Sequence, residues 1–172
     1  MIDRLPAPSR LGLLAFLGSA ALLAGAYYFQ YVGGMRPCEL CLWQRYPHMV
    51  AGAFGLLALV SLGVPRLAMV FTLISIMALF ITSGLGAFHL GVEEHLWQGP
   101  RTCTGVIPSG LSPEQLKKLL LNTQMVRCDV PAWQMWNISM AGWNAILSGG
   151  LAIFLSARVV AHMKSWKSTL VT

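Results

Sequence analysis

The residues of this chain with the most chemistry to offer are its four cysteines, and they form two unequal pairs. Cys38-Glu39-Leu40-Cys41 is a C-x-x-C motif. Its two-residue spacing allows a small-ring disulfide that opens and closes without unfolding anything, which suits a redox-active dithiol better than a staple. The motif follows Pro37 and precedes a helix, whose N-terminal dipole favours a thiolate. Arg45, four residues after Cys41, adds a positive charge. Thiolate character matters because the thiolate is the attacking species in disulfide exchange, and a thiol of lower pKa leaves faster. Cys103 and Cys128 are 25 residues apart in a polar loop. That spacing suits a disulfide offered to a protein partner and able to move toward the first pair. A four-cysteine zinc site would call for a second close-spaced pair, which Cys103 and Cys128 are not. Two purely structural bridges are the other alternative, but a C-x-x-C bridge closes too short a loop to stabilise much.

These cysteines must be held by something, and the composition says what. The chain has 172 residues, of which 10% are charged and 56% hydrophobic. An ordinary globular domain carries roughly 25% charged residues. So few charges cannot cover that much apolar surface in water, whereas a bilayer can. The net charge of +6 comes from scattered Lys and Arg with no cluster or stripe, which excludes a nucleic-acid surface and points to topology signals and contacts with membrane lipid. The expected architecture is an all-α integral membrane domain over residues 1–172, a bundle of four transmembrane helices. The spans are expected at about 11–31, 46–64, 67–88 and 138–158, with outer loops at 32–45 and 89–137. Pro47 is tolerated only near a helix start, so span two is expected to begin after Arg45. Gly25, Gly52, Gly84, Gly86, Gly149 and Gly150 are read as small residues that let helices approach closely.

Parity places all four cysteines on one side of the membrane and both termini on the other. Arg4, Arg10, Arg66, Arg158, Lys164 and Lys167 lie on the terminal side, and Arg36, Arg45, Arg101, Lys117, Lys118 and Arg127 on the cysteine side. Lys117 and Lys118 lie deep in the long loop, where the positive-inside rule carries little weight, so the termini are read as cytoplasmic. Cysteines confined to the outer face fit an oxidising compartment. Tyr27, Tyr28, Tyr31, Trp43, Tyr46, Trp97, Trp133 and Trp136 are expected to form an aromatic belt at that face. His89 and His95 flank the outer end of span three, with Glu93 and Glu94 between them, as interfacial polar groups or proton carriers. In the second outer loop, Ser112-Pro113-Glu114-Gln115 reads as a capping box opening a short helix. Leu111 and Leu116 would staple it, and Leu116, Leu119 and Leu120 would form its apolar face opposite Lys117 and Lys118.

With these residues in view, the sequence resembles the DsbB family of bacterial disulfide bond formation proteins. The likeness rests on Pro37-Cys38-Glu39-Leu40-Cys41-Leu42-Trp43-Gln44-Arg45, on Gly86-Ala87-Phe88-His89 with Gly91-Val92-Glu93, on Cys103, on Arg127-Cys128-Asp129 and on Ser139-Met140-Ala141-Gly142-Trp143-Asn144. It implies a thiol oxidase of the bacterial inner membrane that reoxidises a periplasmic, thioredoxin-fold partner resembling DsbA. By the resemblance, Cys103 takes the mixed disulfide with that partner and Cys128 attacks Cys38. Cys41 then faces a membrane quinone, ubiquinone or menaquinone, and Arg45 holds the thiolate–quinone pair. The sequence itself supports a quinone by exclusion, having no dinucleotide fingerprint, no haem-attachment motif and no iron–sulfur cysteine cluster. Trp43, Tyr46 and His48 at the bundle edge, with His89, are the expected flanking residues of its seat. Two alternatives remain: a quinone reductase resembling vitamin K epoxide reductase, in which the C-x-x-C is expected near the last helix, and a non-catalytic scaffold stapled by two disulfides.

Overall fold

The computed structural model describes residues 6–100, 103, 112–115, 117 and 126–171. Most of them lie in four long helices: α1 (Ala7–Tyr31), α2 (Glu39–Val60), α3 (Pro65–Glu93) and α4 (Met140–Val171). A ribbon of β1 (Gln134–Met135) and β2 (Ile138–Ser139) precedes α4. Proline opens α1 and α3 in the first turn, where its missing N–H costs nothing. Only residues 61–64 separate α2 from α3, so these two form the expected antiparallel hairpin.

Two boundaries differ from the sequence reading. Helix α2 begins at Glu39, well before Pro47, with Cys38 as its N-cap; the Cys38 Sγ accepts the Cys41 N–H at 3.2 Å. Pro47 sits inside the helix and deprives only the Trp43 carbonyl of its partner, on the exposed side. Cys41 and Arg45 therefore keep their one-turn relation. At the other boundary, Ile138 and Ser139 pair with Met135 and Gln134 instead of starting the last helix. Trp136 and Asn137 make the two-residue turn with φ of 52° and 62°, the left-handed pair that matches strand twist in a tight hairpin. Ser139 then caps α4, its Oγ accepting the Gly142 N–H at 3.1 Å.

Helix α2 packs against both α1 and α3, α3 also against α4, and α2 and α4 sit diagonally opposite. The core at the terminal end is built from small and medium side chains, among them Ala15, Ala51, Leu79, Ala152 and Leu155. Long apolar side chains such as Leu17, Met77, Ile81 and Ile153 face outward, which suits a lipid surround. The glycines that set helix spacing are only partly those expected. A Cβ on Gly55 would lie 2.7 Å from the Gly12 carbonyl, so these two let α1 and α2 touch backbone to backbone. Gly86 does the same for α3 against Ala141 and Ala145 at 2.9 Å, whereas Gly25, Gly84 and Gly150 have no neighbour within 4 Å. Hydroxyls reinforce the contacts, with Ser75 donating to the Ala51 carbonyl at 3.0 Å and Ser83 to the Ala145 carbonyl at 2.8 Å.

Among the described residues, three helices are long and apolar enough to cross a membrane: α1, α3 and Met140–Ser165 of α4. Helix α2 falls short of that composition because Gln44, Arg45 and His48 occupy its second and third turns. In the long loop, Ser112 and Gln115 form the expected reciprocal capping box. The Ser112 N–H donates to Gln115 Oε1 at 3.0 Å and the Gln115 N–H to Ser112 Oγ at 3.3 Å. Residues 113–115 and 117 are helical; Leu111, Leu116, Lys118, Leu119 and Leu120 lie outside the described residues.

Candidate active site

The helix start at Cys38 decides where the C-x-x-C points. From there Cys41, Gln44, Arg45 and His48 recur at i, i+3, i+4 and i+7 on one face of α2, turned into the bundle. Trp43 and Tyr46 fall on the other face, exposed, and do not line the cavity that this face opens onto. The 100° rotation per residue makes this unavoidable once the helix runs unbroken from Glu39.

Cys38 and Cys41 are free thiols whose sulfurs lie 2.8 Å apart, Cys38 donating to Cys41. That bond, with burial second, pushes the Cys38 thiol well above its ordinary value. Cys41, in the first turn of α2 ahead of the apolar run from residue 46, accepts the bond. As the acceptor of the Cys38 S–H, Cys41 is the sulfur of the pair better placed to carry negative charge.

Cys103 and Cys128 are joined in a disulfide with Cα atoms 5.2 Å apart. The spacing suited a bridge offered to a partner and able to move toward the first pair; here both half-cystines are buried and already packed with Cys38, Leu40 and Val92 in one small cluster. The Cys38 and Cys128 sulfurs and a ring nitrogen of His89 all lie within 4.8 Å of one another. Three such groups could hold a metal, but the Cys128 sulfur is already spent in its disulfide. The two pairs are therefore within one side-chain movement of exchange. Arg127 and Asp129 flank Cys128 with a two-pronged ion pair that pulls the Asp129 carboxyl below the usual carboxylate range.

His89 is the histidine of the site. Its Nε2 lies 3.6 Å from Cys38 Sγ and 3.7 Å from Glu93 Oε1. Gln44 Nε2 donates to His89 Nδ1 at 2.9 Å, so the ring proton sits on Nε2 and faces the sulfur and the carboxylate. The Glu93 side chain is 6% exposed, and among the described residues its Oε2 makes no hydrogen bond. His95, by contrast, sits on an exposed turn at φ 59°, its ring bonded to the Glu93 carbonyl at 3.0 Å.

The polar chain continues across the bundle. Asn144 of α4 donates to Gln44 Oε1 at 2.7 Å and to Thr82 Oγ1 at 3.1 Å. It accepts from His48 Nε2 at 2.8 Å and from Ser148 at 2.9 Å. Among the described residues, none bonds the buried Nδ1 lone pair of His48. Arg45 lies 4.9 Å above the Tyr27 ring and donates to Gln30. Sequence reasoning missed Gln30, Gln44, Glu93 and Asn144 as parts of one site. The available signal was their polarity inside otherwise apolar stretches, which by itself marks function in a membrane.

Cys38, Cys41, Arg45, His48 and His89 line one cavity of about 230 Å³ between α1, α2 and α4, walled otherwise by groups such as Leu22, Ala26, Phe29 and Trp143. A cavity of about 150 Å³ with apolar walls holds benzene, so one substituted ring fits here. The walls are apolar, with an arginine, an imidazole and a thiol set in them. Apolar walls with one guanidinium donor and a redox-active thiol suit a flat, redox-active carbonyl ring.

Residues 8–157 match the family described as Disulfide bond formation protein DsbB. Among curated proteins, Disulfide bond formation protein B of Methylococcus capsulatus is 33% identical over 157 residues, covering 87% of this chain and 93% of its own length. The protein of the same name from Xanthomonas oryzae pv. oryzae is 31% identical, covering 89% and 91%. An uncharacterized protein of Rickettsia prowazekii is 30% identical, covering 84% of each chain. No solved structure matches the chain.

Proposed function

The chain belongs to the DsbB family and is a membrane disulfide-forming oxidase; on that premise we propose that it draws electrons from a periplasmic, thioredoxin-fold dithiol protein resembling DsbA and passes them to a membrane quinone. The observation that carries this reading is the adjacency of the two pairs, with Cys128 within 4.8 Å of Cys38 while Cys41 opens on the apolar cavity. One pair is reached from the loop, the other from the bundle.

The exchange balances as follows. A thiolate of the partner attacks Cys103, forming the mixed disulfide and breaking Cys103–Cys128. Freed Cys128 attacks Cys38 of an oxidised Cys38–Cys41 bond, forming Cys128–Cys38 and expelling the Cys41 thiolate. The partner's second thiolate resolves the mixed disulfide and leaves oxidised. Cys103 then attacks Cys128, restoring the outer disulfide and returning Cys38 as a thiol. The partner has lost two electrons and two protons, and Cys38 and Cys41 carry the two electrons. A bonded outer pair beside a free inner pair is the arrangement that ends this sequence.

A quinone bound in the cavity supplies a two-electron, two-proton sink. Toward it the chain's own residues have distinct tasks. Arg45 holds the negative charge at Cys41, and Tyr27 and Gln30 hold Arg45; His48, fixed by Asn144, lines the wall of the cavity. His89, oriented by Gln44, takes and returns the proton at Cys38. Trp43 and Tyr46 contribute only to the outer aromatic belt. The proposal includes α2 as a fourth membrane span, lined with polar groups because it carries the site. It also includes an inner-membrane location with cytoplasmic termini, which the terminal-end cations Arg10, Arg66, Arg158 and Lys164 favour.

Turnover of the purified chain in detergent, with a reduced thioredoxin-fold partner and a soluble quinone, tests the proposal. Partner-dependent loss of quinone absorbance, abolished by Cys41→Ser, is expected. Equal turnover by that variant would remove Cys41 from the electron path.

A further inference from the structure

At the end of the bundle away from the cysteines, a second cavity of about 490 Å³ opens between the start of α1 and the last turns of α4. Each helix lends it one stripe. Arg10, Leu14 and Leu17 follow one another at i, i+4 and i+7 on α1, and Phe154, Arg158 and His162 at i, i+4 and i+8 on α4. Both stripes have the same polarity. The arginines lie toward the chain termini and the apolar side chains toward the middle of the bundle, about 6 to 10 Å deeper at 1.5 Å per residue. Leu14, Leu17 and Phe154 are each at least two-fifths exposed, so the cleft opens sideways on the surface that faces lipid.

Among the described residues, neither arginine has a carboxylate within 4.0 Å. The described acids, Glu39, Glu93, Glu94, Glu114 and Asp129, all belong to the cysteine end or its loops. Asp3 lies outside the described residues. We propose that this cleft is a binding site for one anionic phospholipid, its phosphate held between Arg10 and Arg158 and an acyl chain laid along Leu14, Leu17 and Phe154. The direction of the polarity gradient is that of a lipid in the leaflet at the terminal end, headgroup outward and chain inward. Two guanidiniums with no described acid near them favour a headgroup of net negative charge over one that brings its own ammonium. Free phosphate satisfies the arginines but leaves the apolar walls bare. The site lies outside the electron path and stands whether or not a quinone is the acceptor.

The test uses the full chain, purified in detergent and stripped of lipid, with native mass spectrometry reading bound species. Dioleoyl phosphatidylglycerol, dioleoyl phosphatidylethanolamine and inorganic phosphate are offered in separate arms. A basic residue beside an anionic headgroup is worth roughly a fivefold change in affinity, so Arg10→Gln with Arg158→Gln is expected to weaken phosphatidylglycerol binding about 30-fold. The double lysine variant should stay within about threefold of wild type. Binding of phosphatidylethanolamine as tight as that of phosphatidylglycerol, or of inorganic phosphate as tight as either, overturns the proposal. So does full binding by the glutamine variant. Should that variant not fold, the selectivity of the wild-type chain between the two lipids decides alone.

Discussion

Asn144 is the side chain through which α4 reaches its diagonal partner α2, and replacing it by alanine tests whether the polar chain is structural, functional or both. The change removes the donors to Gln44 at 2.7 Å and Thr82 at 3.1 Å and the acceptor for His48 at 2.8 Å and Ser148 at 2.9 Å. Hydrogen bonds between membrane helices average about 0.6 kcal/mol by double-mutant cycle, with a maximum of about 1.7. Three of the four bonds cross between helices, the Ser148 bond lying within α4, and those three amount to about 2 kcal/mol. For a chain of this size that lowers the melting temperature by roughly 4 to 8 °C. The same loss frees Gln44 to rotate, and with it the bond that sets the His89 proton on Nε2. Electron transfer from Cys41 to quinone should therefore slow, while formation of the mixed disulfide at Cys103 proceeds at the wild-type rate. Thermal melts in detergent read the first effect, and rapid mixing with quinone or with reduced partner separates the other two. A double-mutant cycle with His48→Ala should show coupling of at least about 0.5 kcal/mol. A melting temperature within 1 °C of wild type, together with zero coupling, would refute the reasoning.

Other outcomes follow from the same geometry. Arg45→Ala should raise the quinone concentration needed for half-maximal rate about tenfold or more and leave thiol exchange with the partner intact; equal loss of both would place Arg45 in general stability. Cys128→Ser should trap a covalent partner adduct on Cys103, because the resolving thiol is gone, and an adduct mapped to any other cysteine would overturn the order of exchange. Since Cys38 donates its S–H to Cys41 and is the more deeply buried of the two, limiting iodoacetamide at pH 7 should label Cys41 first. Peptide mass spectrometry reads this directly, and prior labelling of Cys38 would reverse the assignment of the thiolate.

Several features were legible in the residues alone because they depend on local chemistry. The C-x-x-C at a helix start, the uncharged runs long enough to cross a bilayer and the Ser112–Gln115 capping box are all set within a few residues of chain. The segregation of all four cysteines to one end follows from counting spans. Which side chains face the cavity was not legible, because it depends on the helix phase. Had α2 started after Arg45, Trp43 and Tyr46 could have flanked a ring; with Cys38 as N-cap they turn outward, Gln44 faces the cavity in their stead, and His48 lines it as expected. Nor does sequence spacing say that Cys128 lies beside Cys38, or that His89, not His95, completes the group. These contacts bridge 51 residues between Cys38 and His89 and 100 between Gln44 and Asn144. They exist only because backbone contacts such as Gly12 with Gly55, and Gly86 with Ala141, bring the helices close enough for side chains to meet. Composition and periodicity determine what each helix is; which polar groups share a site is decided by the phase and spacing at which those helices pack.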